Sequence, residues 1–243
     1  MTSPLQGKRI IILGGSAGIG FAVASAVARD GARVILASSN QARLDAAVAR
    51  IPGAEGHAVD LTSPTATRAL FARLGSVGPI DHLVFTAGEE LLLGKLADLD
   101  LAQARKAFEL RYWGALAAIQ AALPHLAPHS SIVLTGGAAG ARPYPGFVIG
   151  SSVCGAMEAV TRTLAVELAP IRVNIVVPGY VDTELWSNVP SDAKAQMFRE
   201  AAARLPVGHV GKPAELAEHY LGFLRGSYVT GQALIVDGGG VLV

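Results

Sequence analysis

Arg9-Ile-Ile-Ile-Leu13-Gly14-Gly-Ser-Ala-Gly18-Ile-Gly20 decides how the rest of the chain is read. An apolar run with strand character ends in closely spaced glycines, and a helix-like segment, Ile19–Arg29, follows. Glycine lets the backbone turn tightly and come close to a pyrophosphate. The helix behind it offers free N–H groups and the positive end of its dipole. Gly14, Ser16, Gly18, Ile19 and Gly20 are therefore candidate dinucleotide-binding residues, because the glycines open a βαβ unit. Hydropathy alone offers another reading: Ile10 to Ala28 is nineteen residues without a charge, behind Lys8 and Arg9. Four glycines interrupt that run and no small-residue cleavage site stands out, so neither a targeting segment nor a membrane span is expected.

Outward from this stretch, strand-like and helix-like segments alternate along the chain. Expected strands are Arg9–Leu13, Arg33–Ala37, Glu55–Val59, His82–Phe85, Ser131–Thr135, Arg172–Val177 and Ala233–Val236. Expected helices are Ile19–Arg29, Gln41–Arg50, Pro64–Leu74, Leu101–Leu123, Ser151–Leu168 and Ala214–Leu224. That alternation predicts an α/β fold: one Rossmann-like domain over residues 1–243, a doubly wound parallel sheet of about seven strands with helices on both faces. Residues 184–211 break the rhythm with a helical stretch, Asp192–Arg204, and read as a small lid. The 51% hydrophobic content and mean hydropathy of +0.42 suit strands buried on both faces. A net charge of +1, with no basic stretch interleaved with aromatics, argues against a nucleic-acid partner. The single cysteine, Cys154, excludes an internal disulfide and suggests a cytoplasmic setting. The six histidines show no ligand spacing, so no metal site is expected.

Several spaced motifs together resemble the short-chain dehydrogenase/reductase family across nearly the whole chain. Gly14-x-x-x-Gly18-x-Gly20 has the family's spacing. Asp60-Leu61 resembles the pair that contacts adenine. Ala87-Gly88 resembles the end of the family's Asn-Asn-Ala-Gly, with Phe85 and Thr86 in place of both asparagines. Arg172-Val-Asn174 resembles the sixth strand. Pro178-Gly179-Tyr-Val-Asp-Thr183 resembles the loop under the nicotinamide, which adds Pro178, Gly179, Val181 and Thr183 to the cofactor candidates. Gly231-Gln232 and Val236-Asp-Gly-Gly239 resemble the C-terminal signature. The resemblance also implies self-association, a homotetramer or else a dimer, through the two long helices and Gly240–Val243. At the end of the second strand an acidic residue would hydrogen-bond the adenosine ribose and repel a 2′-phosphate. This chain has Ser38-Ser39-Asn40 there and Arg43 one turn on, which favours NADP(H) over NAD(H). Ser39 or Asn40 can also cap the next helix.

The resemblance implies an Asn-Ser-Tyr-Lys tetrad, and in this register Arg111, Gly137, Gly150 and Cys154 stand at its four places. Thr163–Glu167 downstream and Gly140 upstream keep the family's spacing, and the chain contains no Tyr-x-x-x-Lys. Losing a general acid or base costs roughly 10²–10⁴-fold in rate. Tyr→Gly and Lys→Cys empty a pocket, and Arg111 is expected to reach into it and bond the ribose or a substrate oxygen. An arginine polarises oxygen without donating a proton. Tyr144 is the best substitute acid, with Arg142 beside it and Tyr180 also facing the site. Tyr112 and Trp113 read as packing or subunit-contact residues, and Cys154 as a small buried helix residue. The expected function is an NADP(H)-dependent oxidoreductase with a non-standard site, acting on a small molecule with a C=N bond or an activated carbonyl. The alternatives are a nucleotide-binding sensor or partner subunit without turnover, and an isomerase or cyclase that holds the nucleotide structurally.

Overall fold

The computed structural model describes residues 3–243. Its order is β1 (Arg9–Leu13), α1 (Gly18–Arg29), β2 (Arg33–Ser38), α2 (Gln41–Ala49), β3 (Glu55–Ala58), α3 (Pro64–Val77) and β4 (Ile80–Phe85), then α4 (Leu101–Lys106), α5 (Ala115–Ala122), β5 (Leu126–Thr135), α6 (Val148–Glu167), β6 (Arg172–Pro178), α7 (Ser191–Arg204), α8 (Pro213–Arg225) and β7 (Ala233–Val236). The seven strands form one parallel sheet in the order β3-β2-β1-β4-β5-β6-β7. The order reverses between β1 and β4, and the carboxyl ends of strands at such a reversal open a crevice.

Side chains alternate across the sheet. On β1, Ile10 and Ile12 pack with Val23 and Val27 of α1 and Leu216 and Tyr220 of α8. Ile11 and Leu13 pack on the other face with Phe71 of α3, Ile119 of α5 and Met157 of α6. Two apolar layers thus clamp the sheet and hold the strand ends at fixed heights. The charge-free run from Ile10 divides into β1 and α1 at the glycine turn. No helix among the described residues is long and apolar enough to cross a membrane.

Two expectations are corrected. The stretch Leu101–Leu123 is not one helix: α4 ends at Lys106, a π-helical turn spans Glu109–Gly114, α5 follows, and a 3₁₀ turn holds Leu123–His125. In the π turn Trp113 N–H donates to the Phe108 carbonyl five residues back, at 3.0 Å. Apolar periodicity does not register one extra residue in a turn. β5 also begins at Leu126, earlier than Ser131, because Leu126 pairs with Ile80 across an irregularity in the β4–β5 register. Several other boundaries shift by one to three residues.

Candidate active site

The ends of β1, β2 and β4 are laced together where the glycines begin. Gly14 N–H donates to the Ala37 carbonyl at 2.8 Å, and Thr86 N–H to the Leu13 carbonyl at 2.8 Å. Gly14 has φ of +87°, and a methyl group on it would stand 2.5 Å from the Ala87 nitrogen. One on Gly20 would overlap the Gly14 carbonyl oxygen and the Thr86 hydroxyl. Both positions require glycine, for the left-handed turn and for the close seat of α1 on the sheet. Ala17 caps α1 without a side-chain hydrogen bond, so the first N–H groups of that helix are left for a ligand.

A cavity of about 840 Å³ starts at this turn and follows the carboxyl ends of the strands. Ser16, Gly18 and Ile19 line it beside Gly14 and Gly20. Ser38, Ser39 and Arg43 line the end next to β2, where the Ser16 hydroxyl donates to that of Ser38 at 2.8 Å. Asp60 and Leu61 after β3, and Ala87 and Gly88 after β4, also line the cavity. Pro178 at the end of β6, and Gly179, Val181 and Thr183 beyond it, line it as well, with Thr183 beside Gly18. Asn40 stands apart from that wall. Its Oδ1 accepts from Arg43 N–H at 2.9 Å and caps α2, so its side chain serves the helix.

At the far end the cavity wall holds Arg111, Gly137, Gly150 and Cys154 together. Gly150 and Cys154 lie about one turn apart on α6. A methyl group on Gly150 would meet only the Phe147 ring, at 3.9 Å, so its place is open. One on Gly137 would stand 2.9 Å from Cys154 Sγ. Cys154 is buried, 4% exposed, and burial pushes its thiol pKa up, an effect the Arg111 charge partly opposes. It has the character of a small packing residue and not of a thiolate nucleophile.

Arg111 comes from the π-helical turn, and its Nε lies 3.4 Å from Glu89 Oε1. A methyl group on Gly88 would stand 2.5 Å from Arg111 Nη2, so the guanidinium uses the space left by that glycine. Arg111 is thus both ion-paired and part of the cavity wall. The sequence reading missed Glu89. It is a loop residue with no spacing that links it to Arg111, and only its position directly after Ala87-Gly88 pointed to the cavity.

Tyr144 lines the cavity near the Phe147 ring, with centroids 6.0 Å apart. Arg142 lies over Tyr144 at 5.4 Å and donates to the Gly240 carbonyl at 2.6 Å, which ties this loop to the C-terminal segment. Tyr180 also lines the cavity and stacks on Trp186, and burial pushes its pKa up. Tyr112 packs edge-on between Phe108 and Trp113, and Trp113 itself is exposed. His209 is exposed and paired with Glu215 at 3.0 Å. Among the described residues no group of three His, Cys, Asp or Glu is placed to hold a metal ion.

The family model described as enoyl-(acyl carrier protein) reductase matches residues 14–240. The chain is 36% identical over 251 residues to the short-chain dehydrogenase/reductase ATR9 of Stachybotrys chlorohalonatus, covering 98% of each. It is 34% identical over 256 residues to fsr5 of Gibberella fujikuroi, covering 99% of this chain and 97% of that one. The fold superposes with a TM-score of 0.93 on the MalC reductase/Diels-Alderase of Malbranchea aurantiaca, at 28% identity over 100% of this chain and 99% of that one. A small-chain dehydrogenase in complex with NADPH superposes at 0.86, with 31% identity over 98% and 100% of the two chains. Motifs, sheet order and relatives agree, and the chain belongs to the short-chain dehydrogenase/reductase family.

Proposed function

We propose that this chain is an NADP(H)-dependent oxidoreductase whose active site lacks the family's tetrad, and that it reduces a C=N⁺ carbon or an activated carbonyl. One observation carries this reading: a single cavity runs from a fitted glycine cradle to an end where Gly150 leaves open space and Cys154 is packed against Gly137. The cradle suits a dinucleotide: without side chains, Gly14 and Gly20 let the turn and α1 sit close against the strand ends, with Gly18 and Ile19 at the cavity. Ser38, Ser39 and Arg43 would hold a 2′-phosphate, neutral donors and one cation with no carboxylate among them. The solved relative in complex with NADPH adds support.

When bound, the cofactor supplies hydride. Arg111 holds or polarises an oxygen at the reacting end through its planar fork of donors. Tyr144 is the available phenol, and a C=N⁺ acceptor needs no proton from either, which matches a site without the usual acid. Residues 184–211, with Trp186 buried under Tyr180, serve as the lid. Self-association, as a tetramer or dimer, would cover Val166 on α6 and Leu234 and Ile235 on β7, all of them exposed. The test is a panel of cyclic iminium salts and simple ketones followed at 340 nm. Iminium turnover with poor ketone turnover is expected, and brisk ketone reduction overturns the reading.

A second reading is favoured by the apolar part of the cavity wall, which includes Leu91, Leu110, Phe147, Leu185 and Leu205. Such a surface can fold an apolar substrate for ring closure, and one structural relative is described as a reductase and Diels-Alderase. Cyclised product formed without change at 340 nm would select this reading.

A further inference from the structure

Glu89 Oε2 is buried and has no hydrogen-bond partner among the described residues, while Oε1 faces Arg111. The rest of the Glu89 side chain is 23% exposed and lines the cavity with Arg111. The location of the pair suggests what this exposed part meets. Glu89 follows Gly88, and Ala87 before them abuts Gly14 at the cradle. Arg111 beside it shares the cavity wall with Cys154 and Gly150 at the far end. The pair therefore lies between the phosphate cradle and the open end of the cavity.

A dinucleotide threaded along that path presents a ribose between its pyrophosphate and its reactive ring. Each ribose hydroxyl both donates and accepts. A carboxylate and a guanidinium side by side offer both complements. We infer that Glu89 and Arg111 together clasp the hydroxyls of the nicotinamide ribose, with the cavity-facing part of the Glu89 carboxylate accepting and Arg111 donating. The inference rests on the nucleotide-binding reading above and adds Glu89 to the binding residues. Gly88 is part of the same device, since a side chain there would displace the guanidinium.

The test compares two probes by fluorescence and calorimetric titration: NADPH, and 2′,5′-ADP, which lacks the nicotinamide ribose. Glu89→Ala is expected to weaken NADPH by about 10- to 100-fold, the range for a hydrogen bond to a charged group. It should leave 2′,5′-ADP affinity within about twofold, which also shows that the variant folds and keeps its cradle. Wild-type protein should lose a similar factor toward an NADPH analogue deoxygenated on the nicotinamide ribose, a measurement that needs no variant. NADPH affinity unchanged in Glu89→Ala, or full affinity for the deoxy analogue, overturns the inference, as does equal weakening of both probes. Wild-type protein that binds neither NADPH nor 2′,5′-ADP removes the nucleotide reading itself, and the clasp with it.

Discussion

Gly137 and Cys154 are fitted to each other: a β-carbon on Gly137 would stand 2.9 Å from the Cys154 sulfur. The loop after β5 can lie against α6 because one position has no side chain and the other carries a short one. Gly137→Ser should therefore destabilise the fold by about 1–3 kcal/mol, the usual cost of overpacking. Cys154→Ala in the same chain should recover much of that loss. Urea denaturation of both single variants and the double variant checks this, and strict additivity would contradict it.

Gly20→Ala tests the cradle. The added methyl overlaps the Gly14 carbonyl oxygen and the Thr86 hydroxyl, so α1 must move away from the sheet. Loss of nucleotide binding and a stability loss of about 1–3 kcal/mol are expected. Titration with NADPH and a thermal melt measure the two effects separately.

Arg43 is exposed and lines the β2 end of the cavity. Arg43→Ala should raise the Kd for NADPH by about tenfold, as expected for one charge-assisted contact, and leave NADH nearly unchanged. Equal effects on both nucleotides would remove Arg43 from the 2′-phosphate site.

Arg111→Ala removes the cation beside Glu89 and leaves that carboxylate unpaired in the cavity wall. Turnover, kcat/KM, should fall by about 10²-fold, the scale for losing one oriented donor. Arg111→Lys keeps the charge but loses the planar fork, and should recover only part of the loss. Steady-state kinetics on whichever substrate is active reads both variants.

His82 lies buried on β4, its Nδ1 2.8 Å from the Ser131 hydroxyl, and burial lowers its pKa from 6.5 to about 4. The unfolded chain binds this proton more readily than the fold does. Stability from this group is complete above about pH 6.5 and is lost as the pH falls toward 4. The shift corresponds to about 3 kcal/mol. Wild-type protein should thus lose more stability than His82→Gln between pH 7.5 and 4.5. Parallel urea-unfolding curves for the two would exclude the effect.

The sheet was legible because most of its strands contain short apolar runs bounded by turn residues, although β3, Glu55–Ala58, is mostly polar and exposed. β1 and β7 lie where their sequences placed them, and the glycine turn was visible from spacing alone. The cradle was readable because its chemistry is local: strand, turn and helix are consecutive. The far end was less so. Cys154, Gly150 and Gly137 were found only through a family register, and their fit appears only when loop and helix are packed. Glu89 and Arg111 meet through a loop and an irregular turn, which no periodicity announces. The π turn itself is set by packing, with Gly114 close against the Leu61 carbonyl. Asn40 shows the reverse, a polar residue whose local role as a cap took its side chain away from the cavity.

The π-helical turn has one further consequence. Each residue of a regular helix turns the chain by about 100°. A wide turn holds one residue more than the winding around it needs, so the direction of Arg111 depends on length as well as on identity. Excising one residue between positions 109 and 114 would restore regular winding with the flanking segments left in place, and would change the direction in which the residues remaining in the turn point. Arg111 and Glu89 could then part company with neither of them altered, and the polar character of this end of the cavity would be set by counting residues.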